Sequence, residues 1–275
     1  MANNVGLEFA AKTDTGLVRS QNEDAIAVSP LYGVAILADG MGGYSAGEVA
    51  SGIAVDVVNQ VLEEGLGKLQ GQQGELRSGR QRELQQLMDE SIHRANAAIL
   101  EAARNEPQYI GMGTTLITAI FHHDKIMVAH VGDSRAYRFR QGRLTQLTRD
   151  HSLLQEQIDA GLISQEGARF SHNKNLVTRA VGVGTEVEVE IHDHLAEPGD
   201  VYLLCSDGLS DMLLADEIGD ILMTRQASLE HACDALVQRA NDNGGRDNIS
   251  VILIRVQSTS AESGGLLGRI LNWVT

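Results

Sequence analysis

The sequence predicts an α+β protein built in layers, and three observations carry that prediction. Strand-like segments follow one another in hairpins joined by short turns, as at His122-His123-Asp124 and Gln141-Gly142. Helical periodicities come in pairs between these groups instead of one by one between single strands, which argues against alternating βαβ units. At 275 residues with 43% hydrophobic side chains, and with no internal repeat, the chain is long enough to bury a substantial core.

Residues 5–12 read as a first strand. Turn chemistry at Thr13-Asp14-Thr15-Gly16 then leads to the polar hexapeptide Arg19-Ser20-Gln21-Asn22-Glu23-Asp24, which suits a phosphate and metal site as well as a solvated loop. Strands follow over 25–28 and 34–38. Ser45 with Glu48 three residues on has capping-box spacing, and Ala50, Ile53, Ala54, Val57, Val58, Val61 and Leu62 recur at helical intervals. Residues 65–82, rich in Gly, Gln and charge, lack periodicity and read as a mobile connection. A second helix carries Leu84, Leu87, Met88, Ile92, Ala95, Ile99, Ala102 and Ala103 on one face until Pro107 stops it.

Residues 114–121, 125–131, 135–140 and 143–147 then read as successive strands of one antiparallel meander, with His130 a core histidine holding a satisfied hydrogen bond. The pattern breaks over 150–184, where a short helix near 153–160 and a polar stretch through Phe170-Ser171-His172-Asn173-Lys174 form an excursion from the core. Strands over 187–194 and 201–205, a short helix at Ile218, Ile221 and Leu222, a longer one from Leu229 to Ala240 and a last strand over 249–256 complete the domain. The Ser- and Gly-rich tail that follows ends in an amphipathic segment around Leu266, Leu267, Ile270 and Trp273. It reads as docking back on the domain, with contact to a partner or membrane surface as the alternative.

The stretch around which the chain is organised is Leu37-Ala38-Asp39-Gly40-Met41-Gly42-Gly43, an apolar run ending on a carboxylate and three glycines. Asp-Gly after an apolar run is by itself a turn signal. Here it repeats: residues 201–205 run into Ser206-Asp207-Gly208, residues 126–131 into Gly132-Asp133, and Asp247-Asn248 precedes the last apolar strand. Converging carboxylates repel by roughly 4 kcal/mol per pair at ~4 Å with an effective dielectric near 20. Cations would cancel that repulsion, and oxygen ligands without Cys or His suit Mg²⁺ or Mn²⁺ better than zinc.

The net charge of −15, from 22 basic and 37 acidic residues, argues against a nucleic-acid or anionic-membrane binder. The two cysteines, Cys205 in a strand and Cys233 on a helix face, read as buried thiols in a reducing compartment. Met1-Ala2-Asn3-Asn4 lacks the basic and apolar regions of a signal peptide, and no stretch reaches the ~18 apolar residues of a membrane span. A cytoplasmic, monomeric protein is the expectation.

Taken in order, Arg19-x-x-Asn22-Glu23-Asp24, Asp39-Gly40-Met41-Gly42-Gly43, Gly111-Met112-Gly113-Thr114-Thr115, Gly132-Asp133-Ser134-Arg135, Ser206-Asp207-Gly208 and Asp247-Asn248 resemble the bacterial PP2C-type, metal-dependent serine/threonine protein phosphatases. The likeness covers roughly residues 7–256. It implies a four-layer α-β-β-α sandwich over 1–256, with a variable flap at about 150–184 and a separate tail over 257–275. It further implies that Asp39 bridges two Mn²⁺ or Mg²⁺ ions, that Gly40 lends a carbonyl to one, and that Asp207 and Asp247 hold the other. Glu23 and Asp24 would anchor metal-bound waters, Arg19 would grip the phosphate and Asn248 would support the site from its edge. Asp133, with Asp207, corresponds to the ligand of a weaker third ion.

The reaction implied is hydrolysis of phosphoserine and phosphothreonine in proteins by a metal-bridged hydroxide, in opposition to a bacterial Ser/Thr kinase. Animal members often carry a histidine after the Asp-Gly pair. This chain has Met41 there, which leaves protonation of the leaving group unassigned. Two rivals are a pseudophosphatase that only binds phosphoproteins, disfavoured because Asp39, Asp207 and Asp247 are all present, and a two-metal nuclease, disfavoured by the acidic surface.

Overall fold

The computed structural model describes residues 6–43, 46–70, 77–164, 167 and 176–257. Its strands form two antiparallel sheets. The five-stranded sheet has the order β1 (Gly6–Asp14), β11 (Ile249–Gln257), β10 (Val201–Cys205), β7 (Arg135–Arg140) and β8 (Arg143–Gln146). The second runs β2 (Asp24–Ser29), β3 (Val34–Met41), β5 (Leu116–His122), β6 (Lys125–Val131) and β9 (Glu190–Leu195), with the two-residue β4 (Gly113–Thr114) paired to the end of β3.

Period-two alternation sends each strand's side chains to two different cores. Ala35 and Leu37 of β3, Ile117 and Ala119 of β5, and Tyr202, Leu204, Ile252 and Ile254 of the facing sheet pack between the sheets. Val34, Ile36 and Ala38 turn outward onto α1 (Ala46–Gln70) and α2 (Arg77–Asn105). Leu203, Cys205, Val251 and Leu253 turn the other way, onto α5 (Ala215–Thr224) and α6 (Leu229–Asp242). With both faces covered, these strands read as continuous apolar runs. The result is the expected four-layer α-β-β-α sandwich. Both cysteines are buried free thiols, pushed up to about 12 by burial, and His130 is buried with Nε2 on the Arg149 carbonyl at 2.9 Å.

Two sequence expectations need correction. The described parts of the stretch 65–82 are helical and not a connection: α1 continues to Gln70 and α2 begins at Arg77. Gly65 marks the place where the two helices cross, since a Cβ there would lie 2.4 Å from Leu87 Cδ1. Arg80 then donates from Nη1 to the Leu69 carbonyl at 2.7 Å, satisfying one of the last carbonyls of α1. The single meander is also wrong. β5 pairs with β6 and β7 with β8, but β6 and β7 lie in different sheets. The chain crosses between them through Gly132, whose φ of +107° belongs to glycine and whose Cβ would strike Thr115 at 2.7 Å.

Smaller differences concern ends. β3 runs through Asp39 and Gly40 to Met41, the strand expected over 114–121 breaks at Thr115, and the one expected from 187 begins at Glu190. A short helix, α3 (Leu153–Asp159), starts on the Ser152 cap, and a one-turn helix, α4 (Asp207–Ser210), follows β10. The Ser45 cap, the 170–174 stretch and the tail beyond Gln257 lie outside the described residues. No helix among the described residues is long and apolar enough to cross a membrane.

Candidate metal and phosphate site

Sheet register brings the predicted acids to one end of the sandwich. Asp24 opens β2 directly opposite Asp39 on β3. Cys205 pairs with both Val251 and Arg135, so the residues after β10, before β11 and before β7 share that end. Parity aims them inward. Asp39 is in step with Ala35 and Leu37, Asp24 with Ile26 and Val28, and Ser206 with Tyr202 and Leu204. The site is the polar cap of the inter-sheet core, with Asp207 and Asp247 contributed from just beyond the strand ends and Asp133 from the crossing between sheets.

Hydrogen bonds fix the scaffold around these acids. Asp39 N donates to Thr115 Oγ1 at 3.1 Å, and its carbonyl accepts from Thr115 N and Thr114 Oγ1, each at 2.9 Å. Gly40 N donates to the Glu23 carbonyl at 3.0 Å, and a Cβ at Gly40 would lie 2.1 Å from the Gly47 carbonyl, so α1 closes against the strand end only with glycine there. Asn248, buried, accepts from Glu23 N at 2.8 Å through Oδ1 and donates from Nδ2 to the carbonyls of Thr15 at 2.9 Å and Gln21 at 2.8 Å. These bonds tie the 15–23 loop to the start of β11. Arg19 donates from Nη2 to Asp247 Oδ2 at 2.8 Å, with its side chain 48% exposed.

The electrostatics are those of a site lacking counter-charge. Burial holds the Asp39 carboxyl well above its ordinary range, and Asp24, Asp207, Asp133 and Asp247 add repulsion. Asp207 is raised in the same way, by burial and then by Asp133, Asp247, Asp211 and Asp24. Burial lifts Asp24 to about 6 against the hydrogen bonds of Ser250 and Ser206, and lifts Asp133 to about 6 with Asp150 adding to it. Glu23 is raised by burial, with Arg19 opposing. Opposed like charges on paired strands are destabilising. Asp24 Oδ1 is moreover buried with no hydrogen-bond partner, whereas Oδ2 accepts from Ser206 Oγ at 2.8 Å. An orphan carboxylate oxygen in an all-oxygen cluster fits a hard dication.

Sequence reasoning assigned no role to Ser206, Thr115, Ser134 or His151, single polar residues whose signal is lost among strands and turns. Ser206 Oγ also accepts from Ser250 N at 3.0 Å, and Thr115 Oγ1 lies 2.8 Å from Ser134 Oγ. A cleft of about 430 Å³ opens beside Asp133 and Asp207, between the Arg135–Asp150 ion pair and α3.

Known proteins share this fold and much of this sequence. Residues 18–253 match the Protein phosphatase 2C family. The serine/threonine phosphatase Stp of Listeria welshimeri is 38% identical over 246 residues, 88% of this chain and 93% of that protein. The crystal structure of the Mycobacterium tuberculosis serine/threonine phosphatase PstP/Ppp superposes with a TM-score of 0.80 at 34% identity, covering 92% of this chain and 99% of that one. The PstP catalytic domain in complex with two manganese ions gives 0.78 at the same identity and coverage. The chain belongs to the bacterial PP2C-type serine/threonine protein phosphatases.

Proposed function

We propose that Asp39, Asp207 and Asp247, with the Gly40 carbonyl, hold two Mn²⁺ or Mg²⁺ ions, that Glu23 and Asp24 act through metal-bound waters, and that the enzyme removes phosphate from proteins modified by a Ser/Thr kinase. The observation that supports this most directly is the convergence of buried acids without an internal cation to neutralise them all. The PstP relative is described with two manganese ions. Such ions supply a nucleophile near neutral pH and neutralise charge on the phosphoryl oxygens.

The residues of the chain do the rest. Arg19, anchored on Asp247, presents a planar guanidinium at the rim of the site, suited to gripping two oxygens of a phosphate monoester. Asn248 keeps the Arg19 loop and the Glu23 backbone in register with β11, so phosphate and acids are held by one framework. Met41 can neither donate nor accept the proton an alkoxide leaving group needs. Asp133 lines the cleft with Asp207, and the two would hold a weaker third ion, which would supply acidity for that group. Hydrolysis of a phosphothreonine peptide with Mn²⁺, Mg²⁺ or EDTA tests the assignment: turnover should require added metal, and undiminished turnover after exhaustive chelation would overturn it.

A further inference from the structure

His151 stands where the chain leaves β8 for α3, buried at 6% exposure and 19 positions beyond Gly132 in sequence. It touches Gly132 twice. Its backbone N donates to the Gly132 carbonyl at 2.9 Å, and Gly132 N donates to its Nδ1 at 3.1 Å. The two bonds close a ring around Gly132, the residue that precedes Asp133. Because Nδ1 accepts, the imidazole proton sits on Nε2, which faces Glu190 Oε2 on β9 at 3.1 Å, with Arg179 Nη1 beside it at 3.4 Å. The His130 ring stacks on the imidazole at 4.5 Å and 19°, and the His151 carbonyl accepts from Thr178 N at 2.8 Å. On the far side of Asp133, Ser134 Oγ meets Thr115 Oγ1, which in turn accepts from Asp39 N. Asp133 is thus held between a clasp on Gly132 and a contact leading to Asp39.

A buried histidine can serve merely to fill space. That role needs neither a bond to both the N–H and the carbonyl of one glycine nor a fixed tautomer. We propose that His151 is a positioning residue for Asp133: by holding the Gly132 peptide through Nδ1 and its own main chain, it sets the aim of the Asp133 carboxylate and couples it to the segment that starts at α3. The proposal rests on the reading of Asp133 as a weak cation ligand.

The test separates the two ring nitrogens. In His151→Asn the amide oxygen lies near the Nδ1 position and still accepts from Gly132 N, but does not reach Glu190. In His151→Gln the amide reaches Glu190 and leaves Gly132 N without its acceptor. Both lose the imidazole, and a space-filling role predicts that the smaller Asn is at least as disruptive as Gln. In the metal-free full chain, hydrogen exchange of the amides over 132–134 should be about tenfold faster in the Gln variant than in the Asn variant, the scale of one hydrogen bond. The Mn²⁺ concentration for half-maximal phosphopeptide hydrolysis should rise by a similar factor, about tenfold, in the Gln variant alone. Equal exchange rates in the two variants would overturn the clasp, whatever the metal titration shows. Faster exchange with an unchanged Mn²⁺ requirement would overturn the coupling, and Asp133→Asn locates that failure: if it too leaves the requirement unchanged, the cation reading of Asp133 is at fault. A third measurement needs no variant. Mg²⁺ titrated into the wild type should move the His151 imidazole ¹⁵N and Gly132 amide resonances together in its weak phase, and a weak phase that moves neither refutes the proposal.

Discussion

The two ends of β10 carry buried acids under opposite conditions. At the start of the strand, Asp200 is 1% exposed, yet Arg140 donates to it from Nε at 2.7 Å and from Nη2 at 2.6 Å, Glu197 N donates at 2.9 Å and the Tyr202 hydroxyl at 3.2 Å. At the other end, Asp207 joins Asp24, Asp39, Asp133 and Asp247, and among the described residues the one guanidinium bonded to that group, Arg19, donates to Asp247. The first acid is neutralised by the chain itself. In the proposed function, bound cations neutralise the second group, and that distinguishes a structural ion pair from a binding site made of the same residue type.

The largest expected effect breaks the two ends in opposite ways. Asp39→Asn and Asp207→Asn should each lower kcat by at least ~10³-fold, as loss of a group stabilising developing charge does. The metal-free protein should nevertheless melt no lower than wild type, because removing a charge from a like-charged cluster relieves repulsion. Asp200→Asn should do the reverse, keeping kcat and costing about 2–3 kcal/mol, less than for a fully buried pair because Arg140 keeps contact with water and Glu197. Calorimetry together with steady-state kinetics on the three variants decides this, and equal destabilisation at the two ends would erase the distinction.

Next in size is Asp133→Ala. Hydrolysis of a phosphopeptide should fall by about 100-fold, the lower end of the range of general acid catalysis, with a smaller loss for p-nitrophenyl phosphate, whose leaving group needs no proton. Equal losses on both substrates would return Asp133 to the role of a turn residue. Arg19→Lys should reduce kcat/KM on phosphopeptide by roughly tenfold with charge conserved, because an ammonium has no planar fork. An unchanged value would remove Arg19 from phosphate binding.

The smallest effect is on pH dependence. In the metal-free protein Asp24 titrates at about 6, above the ~3.9 of an unfolded chain. The folded state therefore binds more protons in between, so this contribution to stability is full below about pH 4 and lost as pH rises through 6. With EDTA present, Asp24→Asn should melt a few degrees above wild type at pH 7.5, with the gap closing by pH 4.5. A gap independent of pH would show that Asp24 is not held in its strained, charged form.

The amphipathic stripes of α1 and α2 and the apolar strands were legible because side-chain period follows backbone geometry. So were the acids, since each stands at a change from apolar run to glycine or turn. Gly65 was misread because a glycine in a charged, Gln-rich stretch looks the same whether it loosens a linker or lets two helices touch, and only Leu87 on the neighbouring helix tells them apart. The meander failed for a related reason: a hairpin and a crossing between sheets both need a turn residue, and Gly132-Asp133 supplies either.

By itself, the sequence determined most of the helices and strands, which residues are the candidate ligands and which kind of ion they suit, because propensity, periodicity and ligand chemistry are properties of residues and their near neighbours. The tertiary structure decided what those acids face. Register set Asp24 opposite Asp39, strand parity turned both into the inter-sheet layer, and Asn248 joined the 15–23 loop to β11 across more than 220 positions of chain. Burial and charge repulsion depend on distances through space. They arise only when strand ends far apart in sequence are brought to one rim.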